Sequence, residues 1–232
     1  MPVPPIAIAI LGGILPALLW LWFWLREDST HPEPRRLIAL AFLAGALSIA
    51  IVIPTEKFVA GYFALAGAAM FSAWAVIEET GKYLAARLTV LGRRENDEPV
   101  DSVIYMVVAA LGFSSVENAL FLLNPDVAGQ LGATVLTGDL RAIGATLLHV
   151  LSSSIVGLAL AASFYRPRRE RVLWAISGVI LASVLHAGFN ILIINTKDAY
   201  LFHTFVFVWI GIVVLLAALE YVKRMRRPVR RR

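Results

Sequence analysis

Trp74-Ala-Val-Ile-Glu78-Glu79-Thr-Gly-Lys82-Tyr83 decides how the rest of this chain is read. It sets two carboxylates and an ammonium inside a run that is otherwise apolar. Phe63 to Ile77 is nearly all apolar or small, and Tyr83 to Gly92 adds only Arg87. A charge at bilayer depth costs a few kcal/mol or more unless it faces the protein interior and meets a partner. Such a cluster therefore predicts a helix packed among other helices that bring polar groups of their own.

The composition agrees. The 232 residues are 59% hydrophobic and only 16% charged, where a soluble domain is about a quarter charged. The expected fold is an all-α integral membrane protein, one membrane domain over residues 1–232. Cysteine is absent, which removes disulfides, thiolate nucleophiles and Cys-ligated metals. The net charge of +5 points to topology and not to nucleic acid, because the basic residues lie in short loops and in the tail 223–232.

Working outward, the apolar runs are Pro5–Leu25, Leu37–Ile53 (closed by Pro54), the stretch from Phe58 to Gly92, Asp101–Leu123, Leu140–Tyr165, Val172–Ile194 and Tyr200–Val222. The first reads as a span and not a signal peptide, since no Lys or Arg precedes it. The third is too long for one upright crossing of roughly 20 residues. Its crossing part is expected to begin near Ala69, with Phe58–Ala68 as a separate re-entrant or interfacial piece. Alternate connecting segments hold seventeen Lys and Arg against three. The positive-inside rule then gives about seven transmembrane helices, N-terminus outside and C-terminus in the cytoplasm, multi-pass in a prokaryotic inner or plasma membrane. The tail is expected to anchor the last span at the anionic inner leaflet.

Few ionisable groups remain at membrane depth: Glu78, Glu79, Lys82, Glu117, His149 and His186, with His203 near an interface. Spacings of four put Glu78 with Lys82, Phe113 with Glu117, His149 with Ser153, and His186 with Asn190 on shared helix faces. Asn118 lies beside Glu117 and reads as helix–helix glue. Glu117, His149 and His186 fall at similar depth, in the outer half of the bilayer, so four helices can present one polar cavity within a core of about 69–195. An ion pair for Glu78–Lys82, or hydrogen-bonded histidines, is the bland reading of each member. For the set it is weak, because three Glu and two His with few basic residues are costly unless they bind a cation, share protons or do chemistry.

Such a set suits water activation, with a carboxylate as general base and histidines orienting the water, ligating a metal or stabilising an oxyanion. Gly-x-Ser-x-Gly, His-Glu-x-x-His and paired intramembrane aspartates are absent, and Asp126 and Asp139 read as loop residues. Serine, zincin-type and aspartyl intramembrane chemistry is thereby disfavoured.

Glu78-Glu79-x-x-Lys82, Phe113-x-x-x-Glu117-Asn118, His149 and His186-x-x-x-Asn190, in that order on separate apolar helices, resemble the PrsW family of bacterial intramembrane proteases, related to the CAAX-processing (CPBP) peptidases. The resemblance runs from about Ala73 to Asn190. It implies an endopeptidase that cuts membrane-anchored proteins, for example an anti-sigma factor, with Glu78 or Glu79 activating water. By the same resemblance Glu117 shares that water, His186 and Asn190 stabilise the oxyanion, His149 is an added group, and Lys82, Phe113 and Asn118 support them. Such proteases are described both as metal-dependent and as metal-free. The expectation is either no cofactor or one zinc ion held by Glu117, His149 and His186. Lys82 stands where the CAAX branch has arginine one residue further on, and Phe121 stands near that branch's usual tyrosine. The expected partners are a membrane-protein substrate and the bilayer. The alternatives are a CAAX-type or bacteriocin-related peptidase and a proton- or cation-coupled transporter; no internal repeat of the transporter kind is evident.

Overall fold

The computed structural model describes residues 5–27, 32–124, 131–195 and 201–225. Asp126 and the tail after residue 225 lie outside the described residues, as do the side chains of Asp139 and His203. Among the described residues there are seven helices and no strand: α1 (Pro5–Glu27), α2 (Arg35–Tyr62), α3 (Gly67–Thr89), α4 (Pro99–Leu122), α5 (Leu131–Ala162), α6 (Arg168–Asn195) and α7 (Leu201–Lys223). Six of them contain a stretch long and apolar enough to cross a membrane. The exception, α3, carries the charges of the opening motif; its 23 residues reach ~34 Å at ~1.5 Å per residue, ample for a crossing.

Burial is arranged for lipid. Leu47, Ile51 and Leu88 are exposed, whereas Glu79, Lys82, His149 and Ser152–Ser154 are buried. α4 is the central post, buried along nearly all of Pro99–Ser115. It begins on a capping box: the Asp101 carboxylate accepts from the Glu98 backbone N–H at 2.6 Å and from that of Asp97 at 2.9 Å, and Pro99 fills the first helical turn, where a missing N–H costs nothing. Against it α2 packs backbone to backbone. A Cβ at Gly45 would collide with the Ala109 carbonyl, and one at Gly112 with the Phe42 carbonyl. Small residues permit this approach, which is how helices associate where lipid removes the hydrophobic drive.

Two sequence expectations change. α2 does not close at Pro54 but continues through it to Tyr62. The proline removes one backbone donor, the one that would reach the Ala50 carbonyl, and beside it the Thr55 hydroxyl bonds back to the Ile51 carbonyl at 2.7 Å. Phe58–Tyr62 is therefore the end of α2 and not a separate outer piece. The turn that follows uses left-handed conformations at Ala64 (φ 48°) and Gly67 (φ 56°). α3 accordingly begins at Gly67, close to the expected late start, and this moves Glu78 to the middle of its helix.

Candidate active site

Four helices deliver the motif residues to one place. Glu78, Glu79 and Lys82 come from the middle of α3, Phe113, Glu117 and Asn118 from α4, His149 and the serine run from α5, and His186 and Asn190 from α6. α3 approaches α2 closely at Gly81, where a Cβ would meet the Val52 side chain.

Glu79 is completely buried and accepts four hydrogen bonds. Its Oε1 receives Lys82 Nζ at 2.5 Å, Ser152 Oγ at 2.7 Å and His186 Nδ1 at 2.8 Å, and its Oε2 receives Ser153 Oγ at 2.8 Å. A buried carboxylate is tolerable only with such company. The expected Glu78–Lys82 pair is thus replaced by Glu79–Lys82. Glu78 (i, i+4) and Glu79 (i, i+3) both neighbour Lys82 on the helix, and it is the Glu79 Oε1 that the ammonium reaches.

Glu78 is the opposite case. Its Oε2 is buried without a hydrogen-bond partner among the described residues, yet lies 3.8 Å from His149 Nδ1 and 3.7 Å from His186 Nε2. Both rings are held from behind. His186 donates its Nδ1–H to Glu79, and His149 donates Nε2–H to Glu117 Oε2 at 2.6 Å. These bonds turn the remaining nitrogen of each ring toward Glu78. Lys82 Nζ sits 3.0 Å from His149 Nδ1 and 5.0 Å from the centre of the Phe113 ring. The two imidazoles meet edge to face at 5.0 Å.

The residues able to gather around a cation are therefore Glu78, His149 and His186, whose ligand atoms lie within 4.8 Å of one another. The expected trio had Glu117 in place of Glu78. Glu117 is bonded to the far nitrogen of His149 and orients that ring, and its side chain is 41% exposed. The donor set fits zinc: two imidazoles and one carboxylate are a familiar catalytic trio, and each histidine's second nitrogen is anchored by a carboxylate. A cation would have to displace the Lys82 contact at His149.

The remaining members sort by partner. Asn118 donates to Thr146 Oγ1 at 2.9 Å, which stitches α4 to α5. Asn190 is half-buried one turn beyond His186, and its amide has no partner among the described residues.

Glu56 falls between the apolar runs that end at Ile53 and begin at Phe58, and is not among the site residues the sequence points to. On the prolonged α2 it comes within hydrogen-bonding reach of Glu78, a contact that two carboxyl groups make by holding one proton between them. The signal was present. Ile49, Val52, Ile53 and Glu56 follow the i, i+3, i+4, i+7 spacing of one helix face, and Ile49 and Val52 are buried against Phe113, Ile77 and Val116.

Residues 33–219 match the model of a family described as PrsW family intramembrane metalloprotease. Among curated proteins, Protease PrsW of Geobacillus kaustophilus is 29% identical over 188 residues, covering 80% of this chain and 79% of that one. Protease PrsW of Bacillus subtilis is 24% identical over 208 residues (86% and 90%), and that of Clostridioides difficile 25% identical over 190 residues (78% and 77%). No solved structure matches.

Proposed function

The chain belongs to the PrsW family of intramembrane metalloproteases and is a multi-pass membrane peptidase, and from that premise we propose that it cuts membrane-anchored proteins with water activated by Glu78. The observation carrying this reading is the buried, partnerless Oε2 of Glu78 facing two imidazole nitrogens. Glu79 accepts four hydrogen bonds and has no room for a further proton; Glu78 has an oxygen to spare.

In the proposed reaction a water in the gap gives a proton to Glu78 Oε2 as its oxygen bonds to the scissile carbonyl carbon. The proton then passes to the departing nitrogen as the C–N bond breaks, leaving a carboxylic acid and an amine. Glu79, fixed by Lys82, Ser152 and Ser153, holds the His186 ring in place, and Glu117 does the same for His149. Asn190, with a free amide donor beside His186, is suited to the oxyanion that forms on the carbonyl. Glu78, His149 and His186 would also be the residues to hold a zinc ion, which when bound would acidify a water and polarise the carbonyl. Metal-free chemistry has its own specific support, the Lys82 ammonium already 3.0 Å from His149 Nδ1.

The substrate class inferred is a single-span protein, with a membrane-anchored anti-sigma factor as the example implied by the resemblance. The location proposed is the plasma membrane, with the site open toward the outside. The test is co-expression with a tagged single-span substrate. Glu78→Gln should abolish cleavage while the protein still accumulates in the membrane, and retained cleavage would remove the proposal. Metal content of purified protein, with activity before and after chelation and zinc add-back, separates the zinc-dependent from the metal-free form.

A further inference from the structure

At the opposite end of the bundle from the N-terminus of α3, the helix ends enclose a second cavity. It measures about 600 Å³ and lies between the end of α3, the start of α4, the end of α5 and the start of α6. That volume is within the range of ligand pockets, roughly 300–1,000 Å³. Its polar lining is Arg87, Arg93, Arg168 and Arg171 with the neutral Tyr83, Asn96 and Ser102, and among the described residues no carboxylate lines it.

Two other basic residues at this end are paired: Arg36 binds Glu95 and Arg166 binds Glu170. The four cavity arginines have no ion-pair partner among the described residues. Arg93 donates Nε–H to the Thr89 carbonyl, and Arg171 lies over the Phe164 ring. Arg87 folds over Gly92, where a Cβ would meet its Nη1 at 2.8 Å. Four arginines lining one cavity without a direct ion-pair partner among the described residues, Arg93 alone feeling the Glu95 carboxylate at longer range, suit an anion with several oxygens, and the guanidinium fork suits phosphate.

The rest of the wall is apolar, from Leu91, Leu160 and Val172. Beside the cavity, Leu88 is 82% exposed and Leu173 58% exposed, as lipid-facing residues are. The ligand is therefore amphiphilic, a phosphate carried on a hydrophobic body. The positive-inside count places this end at the cytoplasmic face, where anionic lipids attract basic pockets between helices. We propose that this cavity is a binding site for the headgroup of an anionic phospholipid, entered sideways between α3 and α6.

The test uses the full chain in nanodiscs or detergent, with lipid retention read by native mass spectrometry and stability by thermal unfolding. The wild type should retain phosphatidylglycerol through delipidation and be stabilised by it, but not by phosphatidylcholine or by inorganic phosphate alone. Arg87→Gln/Arg171→Gln should weaken retention roughly thirtyfold, at the weight two arginines carry beside an anionic lipid. The charge-matched control Arg94→Gln/Arg166→Gln, outside the lining, should retain lipid like the wild type. Gly92→Val, which pushes Arg87 aside, should weaken retention without changing charge. Equal retention of phosphatidylcholine, equal stabilisation by inorganic phosphate, or indistinguishable double variants would each overturn the assignment. Cleavage is not the readout, so failure of this site leaves the peptidase reading where it stands.

Discussion

Breaking the Glu79–Lys82 pair is the most informative perturbation the structure offers. Both side chains are fully buried and meet at 2.5 Å. In Lys82→Met the Glu79 carboxylate keeps Ser152, Ser153 and His186 as donors but loses its compensating cation. In Glu79→Gln the ammonium is left with His149 Nδ1 and the Phe113 ring. Removing one partner of a buried pair costs about 3–5 kcal/mol, because the other charge remains desolvated. At about 2–4 °C per kcal/mol for a chain of this size, each single variant should unfold roughly 6–20 °C below wild type. The double variant Lys82→Met/Glu79→Gln buries no uncompensated charge and should resemble either single, not their sum, a coupling of at least about 2 kcal/mol. Thermal unfolding of the four proteins in one detergent measures the cycle. Cleavage should not recover in the double variant, because Glu79 also fixes His186, and losing such an anchor costs about 10–100-fold. Additive destabilisation would refute the pairing, and recovered cleavage would refute the anchoring role.

Lys82→Arg keeps the charge but must fit a larger fork into a site with no free surface, so it should retain more cleavage than Lys82→Met while unfolding below wild type. Glu56→Gln should lower cleavage about 10–100-fold, the scale of outer-shell partners, with unchanged accumulation; wild-type turnover would show that the contact with Glu78 does nothing. Asn190→Ala and Asn118→Leu should separate: the first should cut turnover about 10²–10³-fold without loss of stability, and the second should cost about 0.6–1.7 kcal/mol of stability with turnover largely kept. Gly112→Val should prevent accumulation, since its side chain would collide with the Phe42 backbone carbonyl, whereas Gly81→Ala meets only the movable Val52 side chain and should be far milder.

What could be read in advance follows from which forces are local. Apolar run lengths and loop charges yield the helices because crossing a bilayer is a one-dimensional problem. The convergence of Glu78, Glu117, His149 and His186 was legible for the same reason, since depth along each span can be counted from its ends. Pro54 lies inside α2 and does not end it, and the continuation of α2 is what brings Glu56 to the site. Rotation about each helix axis was not legible. It is set by contacts such as Gly45 on Ala109 and Gly112 on Phe42, which pair residues far apart in sequence. Glu78 and Glu79 are where this matters most. As neighbours in the chain they are chemically interchangeable on paper. A turn of ~100° sends one among a lysine, a histidine and two serines, which fix it as an anchor, and leaves the other an oxygen without a partner, aimed at two imidazoles. The division of labour between anchor and base is a property of the helix's rotation and not of the motif, so swapping the neighbouring walls should swap the roles. With Ser152 and Ser153 both changed to alanine, Glu79 loses two of its four donors. The effect on cleavage should then approach that of Lys82→Arg, although neither serine faces the gap between Glu78 and the histidines.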